Sequence, residues 1–183
     1  MKNRANITKG ELMRRVSALM MGLLMLASVG CGAGGKNKAP AIPADAKMLN
    51  FSIQDVNGNT LDMRQHFGKV VIVDFWDTWC GPCKREIPHF VELYDQYKGK
   101  GLEIVGVAFA RQGAPAVKQF GEQYKINYTN AVFNQEAQKL FGSPPSIPTT
   151  YIIDKTGNVN EKVVGYRDKA YWEQKVKTLL NIS

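Results

Sequence analysis

Two cysteines, Cys80 and Cys83, are separated by a Gly-Pro pair and directly preceded by Trp79. The pair lies between an apolar run that predicts a buried strand and a pattern that predicts a helix. Cysteines at this spacing can close a disulfide across the first helical turn. Cys80 then lies at the helix N-terminus, where free N–H groups and the macrodipole favour negative charge. Because the thiolate is the attacking form of cysteine, we predict that Cys80 is an exposed nucleophile and that the more buried Cys83 resolves the mixed disulfide.

Two other interpretations of the cysteine pair are open, although the sequence favours neither. Tetrahedral zinc needs four ligands, and besides the pair the chain offers His66, His89 and Cys31, for which another use is argued below. His89 follows Cys83 by six residues on the same predicted helix and therefore points to a different side. A purely structural disulfide is disfavoured because so short a loop adds little stability. We therefore predict neither a metal nor another cofactor.

The elements that must position this pair alternate between strands and helices from Met48 onward. Apolar alternation and continuous β-branched runs predict strands, and apolar residues three and four positions apart predict helices. On the first helix, Ile87, Phe90, Val91 and Tyr94 are predicted to share the buried face. The predicted strands are 49–53, 70–73, 102–110, 129–133, 149–154 and 159–165, with a hairpin turn at 57–58, and the predicted helices are 83–99, 117–124, 135–141 and 172–180. This order predicts an α/β protein with a mixed sheet between helices and without a second domain.

The first thirty residues predict an export signal. A basic stretch ends at Arg15, and 16–30 form an apolar run that is shorter than the ~20 residues of a membrane-spanning helix but typical of a secretory leader. Cys31 follows at once, and 27–31 resemble the lipidation motif of bacterial lipoproteins, although Ser28 departs from the usual leucine. Two alternatives stay open: cleavage near Ala33 by an ordinary signal peptidase, which removes Cys31, and a buried helix of the mature fold.

Composition and charge divide the chain further. Residues 31–46 are rich in Gly, Ala and Pro without hydrophobic periodicity, which predicts a flexible tether in front of a single domain at 47–183. The formal net charge is +8, but half of this excess lies in residues 1–30. A nucleic-acid partner thereby loses its main support. The 44% of hydrophobic residues is ordinary for a globular protein.

The segment VVIVDFWDTWCGPCKREIP, residues 70–88, resembles the active-site segment of thioredoxin-fold proteins, most closely the exported, membrane-tethered TlpA/ResA type. The resemblance covers 48–182. It implies a thioredoxin-like fold with a βα insertion, 102–133, between the active-site helix and the strand that follows a cis-proline. It also implies a thiol-disulfide oxidoreductase that reduces protein disulfides.

Further site residues follow from the resemblance. Asp74 matches the buried aspartate that moves a proton to or from the second cysteine, and its apolar neighbours should make it hard to ionise. Glu86 matches the active-site glutamate of ResA-like proteins, although a solvated acid on the helix surface is an equal alternative. Ile147 and Pro148 match the cis-proline loop that faces the disulfide, and with Trp79 they are expected to contact the substrate.

Asp77 departs from the family pattern, in which a small residue usually stands two positions before the tryptophan. A carboxylate there can alter the potential of the cysteines or the docking surface. We expect instead that it is simply exposed to solvent.

The resemblance also implies partners. Relatives of this type act on protein disulfides, with apo-cytochrome c as the best-known client class, and a membrane thiol-transport protein of the DsbD/CcdA type reduces them again. The motif fixes the chemistry but not its direction, so an oxidase that donates disulfides stays open. A lipoprotein that uses the fold to bind a partner or a copper ion also stays open. A thiol peroxidase is disfavoured because both cysteines belong to one pair.

Overall fold

A computed structural model of the chain describes residues 47–182. The leader and the whole tether, with Cys31, lie outside the described residues. In chain order the elements are β1 (Ser52–Gln54), β2 (Thr60–Asp62), β3 (Val70–Trp76), α1 (Gly81–Tyr97), β4 (Leu102–Ala108), α2 (Ala114–Gln123), β5 (Thr129–Val132), α3 (Gln135–Phe141), β6 (Thr149–Ile153), β7 (Val159–Val164) and α4 (Lys169–Leu180). None of the helices in this range is both long and apolar enough to cross a membrane.

Five of the strands form one mixed sheet in the order β5-β4-β3-β6-β7. Strands β3, β4 and β5 are parallel to one another, β6 runs antiparallel to β3, and β7 runs antiparallel to β6. Every residue of β3 and β4 is buried, which explains why both sequences are apolar except for one acid each, Asp74 and Glu103, since a strand covered on both faces has no solvent-facing side. A separate hairpin, β1–β2, turns at the predicted Asn57-Gly58. The predicted α/β class with a mixed sheet between helices is confirmed.

Alternate residues of β3 supply two cores on opposite faces of the sheet. Val71, Val73 and Phe75 belong to a cluster with the hairpin and α3, while Val70 and Ile72 belong to one with α1 and α4. Helices therefore cover both faces and exclude water from the sheet. The carboxyl ends of β3 and β4 share one edge because the strands are parallel, and α1 begins there.

The buried face of α1 differs from the predicted one. Ile87 and Phe90 are fully buried as expected, but Val91 and Tyr94 are only half-buried. The face that lies against the sheet instead continues through Leu93, and its other members are Cys83, Glu86 and Tyr97. The apolar pattern misses this rotation because Glu86, a charged residue type, occupies a buried position on that face.

Candidate active site

Cys80 and Cys83 form a disulfide at the edge where β3 ends, with their sulfurs 2.04 Å apart. Cys80 is the N-cap of α1, and its sulfur accepts a hydrogen bond of 3.2 Å from the backbone N–H of Cys83. Proline in the first turn suits this helix start because its ring presets the backbone and its missing N–H costs nothing there. The helix terminus therefore lies under the sulfur predicted to be the nucleophile.

Cys80 is less accessible than its sequence position predicts. Its exposed fraction is 3% and that of Cys83 is 0%, so the order of burial agrees with expectation but both sulfurs are covered in the disulfide form. Ile147 is the neighbour from the loop before β6, and its carbonyl oxygen lies 3.7 Å from the Cys80 sulfur. The peptide bond between Ile147 and the buried Pro148 is cis, which agrees with the expectation from the family resemblance.

Asp74 is buried in the middle of β3, with 1% of its surface exposed. It lies opposite Thr150 of β6, whose hydroxyl donates a 2.9 Å hydrogen bond to the carboxylate. Burial raises the pKa of Asp74 well above its usual value, the nearby charge of Glu86 adds to the rise, and the Thr150 hydrogen bond opposes it. The expected buried environment of this carboxyl is therefore present.

Glu86 lies one helical turn after Cys83 and is also 1% exposed, so the alternative of a solvated surface acid is wrong. One carboxylate oxygen accepts hydrogen bonds from the backbone N–H of Arg167, at 2.8 Å, and from the indole N–H of Trp172, at 3.0 Å. The other oxygen is buried and has no hydrogen-bond partner among the described residues. Burial raises the pKa of Glu86 to about 7, against the lowering effect of its two donors.

Asp77 is fully buried, so the expectation of solvent exposure is wrong. One of its oxygens accepts a 2.7 Å hydrogen bond from the Thr78 N–H, and the other accepts a 3.3 Å bond from the Arg111 N–H. The Thr78 hydroxyl donates in turn to the side chain of Gln112 at 3.1 Å. Asp77 thus joins the loop that carries the cysteine motif to the loop after β4, and this second loop covers it.

Trp79 is 51% exposed, which is more than Val164 and Val159, the other exposed large apolar side chains among residues 47–182. The guanidinium of Arg111 lies 5.1 Å from the centre of its indole ring. One face of the Trp79 ring contacts the Arg111 guanidinium, and the exposed part of the ring is available to a partner.

The two histidines weighed as metal ligands lie away from the cysteine pair. His66 precedes β3 at the opposite end of the sheet, where its ring nitrogen lies 3.3 Å from a carboxylate oxygen of Glu103. His89 lies further along α1 and hydrogen-bonds the hydroxyl of Tyr166 at 3.2 Å.

Sequence reasoning missed the groups that surround the buried carboxyls. Trp172 is predicted only as part of an apolar stripe, yet its indole N–H binds Glu86 from 86 positions away. Arg167 and Thr150 likewise reach the site through tertiary packing. The one available signal is a polar Thr-Thr pair at the start of an otherwise apolar strand, β6.

Comparisons with known proteins agree with this site. The sequence model of the AhpC/TSA family matches residues 44–162. Thiol-disulfide oxidoreductase ResA of Bacillus cereus is 36% identical over 152 residues, which cover 78% of this chain and 86% of the relative. ResA of Geobacillus thermodenitrificans is 30% identical over 171 residues, covering 91% and 96%. A solved thiol:disulfide interchange protein of Chlorobium tepidum, 34% identical, superposes with a TM-score of 0.67 over 71% of this chain and 92% of that one. The chain therefore belongs to the AhpC/TSA family and is a thiol-disulfide oxidoreductase of the thioredoxin fold, similar to ResA.

Proposed function

We propose that the protein reduces disulfides of exported proteins, with Cys80 attacking the client and Cys83 resolving the mixed disulfide. The observation that carries this direction is the pair of buried carboxyls, Asp74 and Glu86, of which Glu86 is one turn from Cys83. A carboxylate buried near the pair opposes thiolate formation by like-charge repulsion. A less stable reduced form gives up its electrons more readily, which favours a reductant.

The reaction is a pair of thiol–disulfide exchanges. The Cys80 thiolate attacks one sulfur of the client disulfide, and the client's other sulfur leaves as a thiolate and takes up a proton. Cys83 loses its proton and attacks the Cys80 sulfur of the mixed disulfide. The bond between Cys80 and the client breaks, the client sulfur is protonated, and the Cys80–Cys83 disulfide forms. Two electrons and two protons pass from the protein to the client.

The buried carboxyls supply the proton chemistry of the second exchange. The Cys83 thiol must lose its proton inside the protein, away from bulk water. Glu86, with a pKa of about 7, can accept a proton near neutral pH and return it later. Asp74 shares this role because the negative charge of Glu86 raises the pKa of Asp74, so the two carboxyls titrate together.

The loop before β6 offers a docking place for an extended client segment. The Ile147 carbonyl lies against the Cys80 sulfur and can accept a backbone hydrogen bond, while Pro148 fixes the loop at the start of the sheet. Trp79 adds apolar contact area on the other side of the motif. These are the three residues for which we propose a role in substrate binding.

The N-terminal sequence supports a location outside the cytoplasm. We propose that 1–30 are a leader, that Cys31 is lipidated after cleavage, and that 31–46 tether the domain at 47–183. Each buried methylene of the lipid chains adds ~0.8 kcal/mol of membrane affinity, and a flexible tether of this length spans about 20–25 Å. A membrane thiol-transport protein of the DsbD/CcdA type then re-reduces the pair, and apo-cytochrome c is a client class that fits.

The direction is tested by the redox potential of the Cys80–Cys83 pair, measured by equilibration with thiol buffers. We expect a value nearer to that of thioredoxin, about −270 mV, than to that of protein disulfide isomerase, about −180 mV. A potential above the second value would assign the protein to disulfide donation.

The attack on clients is tested with Cys83→Ser in the full chain, which can form the mixed disulfide but cannot resolve it. We expect covalent adducts with exported proteins that disappear on reduction, and none with the Cys80→Ser/Cys83→Ser control. If Cys83→Ser yields no adducts, a binding role without thiol chemistry replaces this proposal.

A further inference from the structure

The edge of the sheet that carries the cysteine pair also carries four cations. Lys84 and Arg85 lie in the first turns of α1, Arg111 follows β4, and Arg167 lies between β7 and α4. The three arginines are exposed and the lysine is half-buried. We call these four side chains the cationic rim.

Three members of the cationic rim contact residues of the active site, and Arg85 follows Lys84 directly in α1. The Lys84 N–H donates to the Cys80 carbonyl oxygen, and the Arg167 N–H donates to Glu86. The N–H of Arg111 donates to Asp77 in the motif loop, and its guanidinium covers Trp79. The rim therefore surrounds the surface on which a client must dock.

The rim charges are not neutralised within the described part of the chain. Among residues 47–182, no carboxylate oxygen lies within 4.0 Å of their charged nitrogens, whereas six other lysine and arginine side chains form such pairs. Each rim cation lies over an aromatic ring instead. The ring-centre distances are 5.1 Å for Arg111–Trp79, 5.3 Å for Arg85–Tyr166, 5.7 Å for Arg167–Tyr171 and 5.8 Å for Lys84–Phe120.

Acids near the rim balance it only in part, at Arg167, whose charge lowers the pKa of Glu86 and of Glu161. Asp74, Asp77 and Glu86 are buried and bonded to their own partners. Asp168 is exposed beside Arg167, but its carboxylate caps α4 by accepting the N–H of Tyr171. An incoming negative group therefore finds free cationic side chains.

The position of the rim also does not favour stability. Lys84 and Arg85 lie near the N-terminus of α1, where no acidic residue occupies the first turn. Cations there oppose the helix macrodipole, so folding alone does not account for them.

We propose that the cationic rim recognises acidic side chains that flank the target cysteine in an extended client segment. This inference rests on the proposed function and names its substrate class. Trp79, which lies against Arg111, supplies apolar contact with the client segment. A peptide fits better than an anionic lipid surface, because the rim lies at the same end of the sheet as the sulfurs and a membrane seated on it would block them.

The test uses three peptides that share one internal disulfide and differ only in carrying Glu, Gln or Lys beside it. With the reduced protein in low salt we expect kcat/KM to be at least about tenfold higher for the Glu peptide than for the Gln peptide, and lowest for the Lys peptide. About 0.5 M NaCl should remove most of the preference. Equal rates for the three peptides would overturn the proposal.

Variants separate docking from thiol reactivity. Arg85→Gln/Arg111→Gln should lose the preference for Glu over Gln, while Lys98→Gln/Lys100→Gln, at the far end of α1, should keep it. The rate with the Gln peptide reports any change in the cysteines themselves. If the first variant instead loses binding to phosphatidylglycerol vesicles with its peptide preference intact, the rim is a membrane contact and the proposal is wrong.

A second readout keeps this test independent of the proposed function. The Cys80→Ser/Cys83→Ser protein cannot exchange disulfides, and we expect it to bind the Glu peptide more tightly than the Gln and Lys peptides. If the intact protein reduces none of the peptides, the proposed function is wrong, but the role of the cationic rim is not affected. If the serine variant binds the three peptides equally, the proposed role of the cationic rim is wrong.

Discussion

Glu86 and Asp74 are two buried carboxyls with different surroundings near one sulfur. Among residues 47–182, Glu86 has two N–H donors on one oxygen and none on the other, whereas Asp74 has one hydroxyl donor. Because the Glu86 charge raises the pKa of Asp74, the two carboxyls titrate together and hold a proton between them near neutral pH. A proton store of this kind fits a dithiol that must release and regain protons away from water.

Glu86→Gln should change how stability depends on pH. The folded protein holds the Glu86 proton with a pKa of about 7, against 4.5 for the ordinary group. The stability that this proton contributes is full below the ordinary value and is lost as the pH rises through about 7. Between these values the unfolding free energy of the wild type should therefore fall by about 1–3 kcal/mol relative to that of Glu86→Gln.

The measurement is urea unfolding of both oxidised proteins across this pH window. Asp74 is present in both proteins, but the Glu86 charge that raises its pKa is missing from Glu86→Gln, so the difference reports the loss of Glu86 together with its effect on Asp74. Parallel stability curves for the two proteins would remove Glu86 as the group that titrates near neutrality.

Asp74→Asn should slow the second exchange and leave the first unchanged. Attack by Cys80 needs no proton acceptor inside the protein, but Cys83 must lose its proton before it resolves the mixed disulfide. Since Glu86 remains, we expect a loss of about tenfold rather than the full effect of a general base. Stopped-flow mixing of the reduced protein with a model disulfide resolves the two phases, and an unchanged second phase would exclude Asp74 from proton transfer.

Local sequence could predict the residue types of the site but not their environments. Cys80, Cys83 and the loop at Pro148 follow from a short motif and a family resemblance. The burial of Glu86 and Asp77 depends on Trp172 and Arg111, which reach them from distant parts of the chain. No local pattern distinguishes such an acid from one that faces solvent.

At the scale of elements, the packing around β4 leaves no room for a side chain at Gly106. A methyl group there would lie 2.8 Å from the indole nitrogen of Trp76, 2.8 Å from the Asn130 side-chain oxygen and 3.3 Å from the Tyr128 ring. Both polar atoms are buried, so they cannot move out into water. The absence of a side chain at this point lets the parallel strands and their covering residues pack.

Gly106→Ala should therefore destabilise the domain by about 1–3 kcal/mol, as overpacking of a filled core does. The matched control is Gly99→Ala, an exposed position where an added methyl group meets nothing within 4 Å. Its unfolding free energy should stay within about 0.5 kcal/mol of the wild type. Equal denaturation midpoints for the two variants would show that the β4 contact is not tight.

Strand prediction succeeded where burial on both faces leaves an unbroken apolar run. The core of β3 at Val70–Val73 and most of β4 follow directly from such runs. The buried face of α1 could not be predicted as well, because an acid on it breaks the apolar periodicity. A polar residue that is buried for function thus makes the buried face of its helix hard to predict from sequence.

At the scale of the whole molecule, two charge distributions have separate uses. The basic residues among 1–30 belong to the proposed leader, and the cationic rim belongs to the active-site edge. The net charge of +8 describes neither distribution, because it adds the charge of a segment that we propose is removed to that of the domain that remains. The positions of the charged residues along the chain, and not the net charge, indicate the function of each group.

Cys31→Ser tests the proposed anchor. In a bacterium that processes lipoproteins, the wild-type chain should be recovered with the membrane fraction, and Cys31→Ser should appear in the soluble extracytoplasmic fraction or keep its leader. Disulfide reduction by the purified domain should be the same for both proteins. Recovery of a processed Cys31→Ser protein in the membrane fraction would rule out the lipid at this residue.

We propose that Cys80 attacks the client disulfide and that Cys83 resolves the mixed disulfide. The direct measurement is the mass of the products formed when reduced Cys83→Ser and reduced Cys80→Ser are each mixed with a small neutral disulfide and quenched with acid. We expect rapid accumulation of a mixed disulfide on Cys80 in the first variant and little reaction in the second, whose remaining sulfur is the more buried and lies inside α1 and not at its N-cap. Adducts that form at equal rates on both cysteines would contradict it.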